Sequence, residues 1–110
     1  MPSKDVCVLL CTVPKGEADK IAATLVDRRL AACVNIIGDV QSVYRWEGEV
    51  TQDSECLLII KTIREQADRL RAQLVELHSY EVPEVLVLDV QDGHIPYLEW
   101  IRSSVESETK

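Results

Sequence analysis

Three short runs in this chain, residues 6–10 (VCVLL), 57–60 (LLII) and 85–88 (VLVL), are apolar at every position. Successive side chains of a strand point to opposite sides of a sheet, so a strand covered on one face alternates, and a run without alternation reads as buried on both. Between these runs the period changes. Ala18, Ile21, Ala22 and Leu25 recur at helical spacing ahead of Arg28 and Arg29, and Ala67, Leu70, Leu74 and Leu77 repeat the pattern later. A chain of 110 residues with 46% hydrophobic content encloses one core and has no room for two, which predicts a single domain over residues 1–110.

The first strand is read over residues 6–13. A second extended stretch opens at residues 34–37 and continues from Val40 to Trp46, where alternation replaces continuous apolarity. Glu47, Gly48 and Glu49 form the turn, and the return strand runs from Val50 to Lys61. The two strands make a long hairpin whose tip should project. Thr62 and Glu65 have the spacing of a capping box, with the Thr62 hydroxyl capping helix two and Glu65 reaching back. That helix should end near His78 and Ser79, because Pro83 forbids continuation and biases Val82 toward extended geometry. Residues 84–90 are the last strand. Pro96 then starts a short terminal helix, with Tyr97, Leu98, Ile101 and Val105 on one side. The β-α-β-β-α-β order predicts an α+β, ferredoxin-like antiparallel sheet with its helices on one face.

The apolar runs conflict with that architecture, since helices on one face leave the other open. If roughly five large side chains lie there, at about 1.5–3 kcal/mol each, exposing them forfeits roughly 10 kcal/mol, comparable with a whole domain's stability. Self-association is the economical cover, with the hairpin as the arm that reaches a neighbour.

A formal charge of -7, scattered along the chain, repels phosphate backbones and anionic lipid, which argues against nucleic acid and membrane partners. Residues 6–13 are too short for a secretory signal, follow Lys4 and Asp5, and run into Pro14-Lys15-Gly16 without a cleavage pattern, so an intracellular, cytoplasmic protein is expected. Cys7, Cys11, Cys33 and Cys56 form no C-x-x-C pair and lie in or beside apolar runs, the pattern of reduced, buried thiols. Cys7 and Cys11 share one strand face about 13 Å apart, too far to bridge or to share a metal. Neither a phosphate-binding G-x-x-x-x-G-K-[ST] loop nor a nucleophile elbow is present, and the turn at Pro14-Lys15-Gly16 lacks the arginine of an acylphosphatase-like site. A protein that binds rather than catalyses is expected.

Four ordered motifs, VLLCTVP at residues 8–14, LAACVN at 30–35, YRWEG at 44–48 and HSYEVPE at 78–84, resemble the CutA family of divalent-cation tolerance proteins across roughly residues 6–105. The resemblance implies a ferredoxin-like homotrimer, related in architecture to the PII signalling proteins, with copper or other divalent cations as the ascribed ligand. In that fold the first strand pairs antiparallel with the last, which brings Cys11 toward His78. A thiolate and an imidazole suit copper, with sulfur favouring Cu(I). Some bacterial members carry two successive histidines here, whereas this chain has Leu77 before His78, so a two-residue site falls short of the usual three or four ligands. Glu84 or Glu81 could fill the gap, although a solvated loop carboxylate is the simpler reading. Tyr80 and Trp46 are candidate cleft residues, and Tyr44, Arg45 and Trp46 have the composition of an interface anchor. His94 belongs to a surface turn before Pro96, and Lys61 reads as a snorkelling side chain. The alternative function is a PII-like module that binds a small molecule between subunits and acts through protein contacts.

Overall fold

A computed structural model describes residues 5–105; residues 1–4 and 106–110, which the single-domain expectation includes, lie outside the described residues. The elements follow in the order β1 (Val6–Val13), α1 (Ala18–Asp27), β2 (Cys33–Trp46), β3 (Glu49–Ile63), α2 (Arg64–Leu77), β4 (Leu86–Asp89) and α3 (Ile95–Ser104), with one turn of 3-10 helix at Lys15–Glu17. The four strands form one antiparallel sheet in the order β2-β3-β1-β4.

Side-chain parity divides this sheet. Cys7, Leu9, Cys11 and Val13 of β1 face α1 and α2, and they close the main core with Leu58 and Ile60 of β3, Ile21 and Leu25 of α1, and Leu70 and Leu74 of α2. The alternate residues Val8, Leu10 and Thr12 pair with Lys61, Ile59 and Leu57 on the opposite face and are only half-buried. Leu86 and Leu88 of β4 extend that face and are 53% and 48% exposed. The continuous apolarity of the three runs therefore has a physical counterpart: one face packs under helices, and the other is apolar without cover along most of its length.

The third helix, added after the β-α-β-β-α-β core, takes the other side of the sheet. Ile101 and Val105 pack on Val6 and Ile63, a cross-strand pair on the face opposite α1 and α2, so α3 covers one end of the otherwise open surface. Tyr97 does not join Leu98, Ile101 and Val105 on the packed side, as the helical spacing suggested. It is 41% exposed and stacks on Trp100, with ring centroids 5.6 Å apart.

The capping box at Thr62 also fails. β3 remains extended through Ile63, which occupies the N-cap position of α2 with no side-chain cap. Pairing of Val6 with Ile63 and Cys7 with Thr62 holds this end of β3 in the sheet, and the buried Thr62 hydroxyl donates to the Leu30 carbonyl at 2.6 Å. A long-range ladder and a buried carbonyl in need of a donor outweigh one local cap.

The hairpin is as long as the sequence indicated. Glu47 and Gly48 both adopt positive φ, 51° and 83°, as a two-residue turn matched to the strand twist requires. One extra residue lies between Ile37 and Val40, a bulge in which Asp39 takes φ 60°. Such a bulge bends the arm and increases its twist. The arm gives the molecule its longest dimension, with extents of 48 × 29 × 25 Å. β4 is shorter than residues 84–90, because ladder pairing with β1 runs only from Cys7–Asp89 to Leu10–Leu86.

Candidate functional site

The end of β1, the part of the hairpin beyond its bulge and the loop at residues 78–85 line a cleft of about 530 Å³. Each wall follows from the strand arithmetic above. Thr12 lies on the face away from α1 and α2, Glu55 shares the parity of Leu57 and Ile59 on that face, and Tyr44 and Trp46 continue along β2 beyond the bulge. Pro83 keeps the chain after α2 out of helical geometry, and the resulting loop brings Tyr80, Glu81 and Glu84 over the strands.

Glu55 is the most constrained residue here. It is 4% exposed and accepts a 2.6 Å hydrogen bond from the Tyr80 hydroxyl through Oε2. Burial, followed by that hydrogen bond, raises the Tyr80 phenol above its ordinary pKa. The Tyr44 hydroxyl hydrogen-bonds Asp53 on the neighbouring strand, and that bond is the main cause of its own upward shift. Glu84 is exposed and its Oε1 lies 3.5 Å from the Thr12 hydroxyl, which donates to it. The cleft lining contains Glu55, Glu81 and Glu84 and no lysine or arginine, so its potential is negative.

Cys11 and His78 do meet at this corner through the backbone. His78 Nε2 lies 2.7 Å from the carbonyl of Thr12, the residue after Cys11, and the Tyr80 backbone N–H donates to Nδ1 at 3.1 Å. Since Nδ1 accepts, the proton belongs on Nε2, which donates to Thr12. Both nitrogens of the buried ring are thus engaged, and the ring packs against Tyr80 at a centroid distance of 4.6 Å. Cys11 is fully buried on the core side of β1. Burial, reinforced by Glu84 and Glu55, pushes its thiol up to about 12. A copper ligand pair requires a thiolate and a free imidazole lone pair. The residues as arranged do not fit that demand, and among the described residues no group of three or more His, Cys, Asp or Glu side chains is placed to hold a metal ion.

Other candidate residues are held elsewhere. His94 is exposed at the N-cap position of α3, after a loop in which the Gly93 N–H donates to the Asp92 carboxylate. Lys61 is half-buried among the apolar residues of the uncovered face, hydrogen-bonds Asn35, and places Nζ 4.0 Å from Cys33 Sγ. Lys15 pairs with Asp39 at 3.1 Å, tying the turn before α1 to the bulge. Glu55 and Thr12 were absent from the sequence-derived candidates. Their signal was a polar residue at the end of an otherwise apolar strand face, in step with Leu57 and Ile59 in one case and with Val8 and Leu10 in the other.

Buried thiols along β1 give the fold a pH signature. Cys11 moves from 9.0 to about 12 and Cys7 from 9.0 to about 11, in both cases chiefly by burial. The unfolded thiols lose protons from about pH 9 upward while the folded ones keep theirs, so the unfolded state binds fewer protons and stability falls as pH rises. This contribution is complete below 9.0 and lost progressively toward 12. The melting temperature should decline across that window, and Cys11→Ala should flatten the decline in thermal scans; an equally steep slope in the variant would contradict the assignment.

Residues 7–104 match the CutA1 divalent ion tolerance protein family. The divalent-cation tolerance protein CutA of Thermus thermophilus is 46% identical over 98 residues, covering 88% of this chain and 95% of that protein. The chloroplastic protein CutA 1 of rice is also 46% identical over 88% of the chain, which spans only 55% of that longer relative. Among solved structures, CutA1 from Oryza sativa superposes with a TM-score of 0.92 at 39% identity, covering 98% of this chain and 100% of that one. The protein described as PII-like CutA from Nostoc sp. PCC 7120 superposes with a TM-score of 0.87 at 31% identity over 91% and 97% of the two chains. A CutA from Archaeoglobus fulgidus, with a TM-score of 0.88 at 33% identity over 92% and 99%, is described as periplasmic. Together with the shared sheet and the four motifs, these matches make this chain a member of the CutA1 divalent ion tolerance protein family.

Proposed function

We propose that this chain works as one domain of a cytoplasmic homotrimer that binds divalent cations and contributes to metal-ion tolerance without catalysing a reaction. The observation that carries the cation reading is the lining of the cleft, which includes Glu55, Glu81 and Glu84 and no basic side chain. Hard divalent ions bind oxygen ligands and retain part of their water shell, so such a cleft needs no closed ligand cage to concentrate them. The uncovered apolar face around Leu10, Ile59 and Leu86 supports the trimer. No helix among the described residues is long and apolar enough to cross a membrane. Copper at Cys11 and His78 is the narrower form of the proposal, and it requires His78 to give up a hydrogen bond and Cys11 to lose its proton.

Calorimetric titration of reduced protein with Zn(II), Cu(II) and Cu(I) tests both levels. Glu55→Gln with Glu84→Gln should weaken Zn(II) binding by roughly tenfold or more, since each removes a charge from the cleft. Unchanged affinity would sink the carboxylate site. Cys11→Ser and His78→Ala should weaken copper binding if the narrower form holds; copper binding that ignores both substitutions removes the pair from the reading.

A second reading has its own support. A cleft of about 530 Å³ with Tyr44, Trp46 and Tyr80 in its walls has the size and aromatic character of a small-molecule site. It favours a PII-like role in which the trimer carries or senses an organic ligand through the same cleft.

A further inference from the structure

A divalent ion that keeps part of its water shell gains little from aromatic walls, yet Tyr44, Trp46 and Tyr80 line the same space as Glu55 and Glu84. A carboxylate taken out of water is costly unless paired or well hydrogen-bonded. Glu55 is 4% exposed, makes one hydrogen bond through Oε2, and has no ion pair with a lysine or arginine among the described residues. Its unused acceptor capacity borders a space large enough for a small organic molecule. The same lining carries the aromatic rings of Tyr44, Trp46 and Tyr80, and π-faces attract cations through the ring quadrupole and also pack against alkyl groups.

We propose that the cleft is a receptor site for a small protonated aliphatic amine, with the ammonium group donating to Glu55 and Glu84 and the alkyl portion lying against Trp46 and Tyr80. The proposal rests on the reading that this cleft receives cations and names the kind it is built for. An ammonium supplies what the lining lacks, a positive charge with several N–H donors. An alkyl chain covers aromatic surface that a hydrated metal ion would leave wet. The selectivity follows from combining the two kinds of lining: a neutral alcohol of the same length satisfies the aromatic residues alone, and an inorganic cation satisfies the carboxylates alone. Burial is the main cause of the raised pKa values of Tyr80 and Cys11, and the Glu55 carboxylate adds to both.

The probe is n-butylammonium chloride against n-butanol, with KCl at matched ionic strength, added to the native assembly. The chain has two tryptophans, so a Trp100→Phe background leaves Trp46 as the sole tryptophan emitter at the cleft. Butylammonium should quench or shift this emission saturably, and butanol should need roughly tenfold more or higher, the margin expected of a desolvated cation–π and carboxylate contact. Glu55→Gln should weaken butylammonium by roughly tenfold. If that substitution disturbs folding, Glu84→Gln on the exposed rim should still weaken it. Trp46→Ala, followed by calorimetry, should weaken butylammonium more than it weakens Zn(II). The proposal is overturned if butanol binds as well as the amine, or if neither glutamate substitution matters. It is also overturned if Zn(II) binds and the amine does not, in which case the site is a metal site only. If a neighbouring copy fills the cleft, neither ligand binds the native assembly, and the cation reading falls with the amine.

Discussion

Ile59→Asp should reduce the proposed trimer to monomers while leaving the fold of each chain in place. Ile59 is half-buried on the sheet face opposite α1 and α2, with Leu10 and Asn35 as its cross-strand neighbours. In an isolated chain an aspartate there stays hydrated and costs little. Once a second copy seats on the face, the carboxylate is buried without a partner, at several kcal/mol per ion. A trimer repeats that penalty in every subunit. Sedimentation should then show a species near the single-chain mass of 12.4 kDa, with unaltered far-ultraviolet circular dichroism. Wild-type sedimentation at the single-chain mass would end the trimer reading, and an Ile59→Asp variant that sediments as wild type would move the interface elsewhere. In the wild type, the melting temperature should rise with protein concentration, provided the chain refolds on cooling, because association draws on the folded state alone.

The neighbouring residue should behave in the opposite way. Leu58 is fully buried on the helix side of β3, opposite Cys11 and Ile36 on the adjoining strands. Leu58→Ala removes most of a side chain from a packed core and leaves a cavity that its surroundings refill only in part, at a cost of about 2–5 kcal/mol. For a domain of this size that corresponds to a drop in melting temperature of roughly 10–20 °C. The loss should persist in the Ile59→Asp background, where assembly no longer contributes. Chemical denaturation there showing a loss below about 1 kcal/mol would mean that the site collapses freely and is not close-packed. Adjacent positions in one strand thus separate folding from assembly, because the pleat sends them to different sides.

The candidate site was legible in parts. Cys11 and His78 reach one corner because β1 and β4 pair antiparallel, and Glu84, Tyr80 and Trp46 do line a common cleft. What the residue types could not convey is how the corner is used. His78 looks like a ligand until both its ring nitrogens are accounted for, one against the Thr12 carbonyl and the other against the Tyr80 N–H. Cys11 looks like a soft donor until its burial is weighed, since the same desolvation that makes it good packing holds the proton on sulfur. Glu55 escaped notice because a glutamate beside an apolar run reads as the strand's solvated end. Only the loop folding over it, with Tyr80 donating to its carboxylate, turns it into a buried charge.

The division between the two levels has a physical origin. Element order, the hairpin turn around Gly48, and the doubly apolar strands all arise from neighbours a few residues apart, where periods of 2 and 3.6 and backbone sterics decide; these could be read from the chain alone, though Glu49 belongs to β3 and not to the turn. Competition between local and distant partners could not. Thr62 could cap a helix or stay in a strand, and the choice fell to Cys7 and the Leu30 carbonyl, more than 30 residues away. The side of the sheet taken by α3 depended on Val6 and Ile63 offering Ile101 and Val105 a place to bury. A pattern of apolar residues states that a face must be covered, because water is expelled from hydrocarbon wherever it lies. Which face receives which element is set by the three-dimensional complementarity of segments that the sequence keeps far apart.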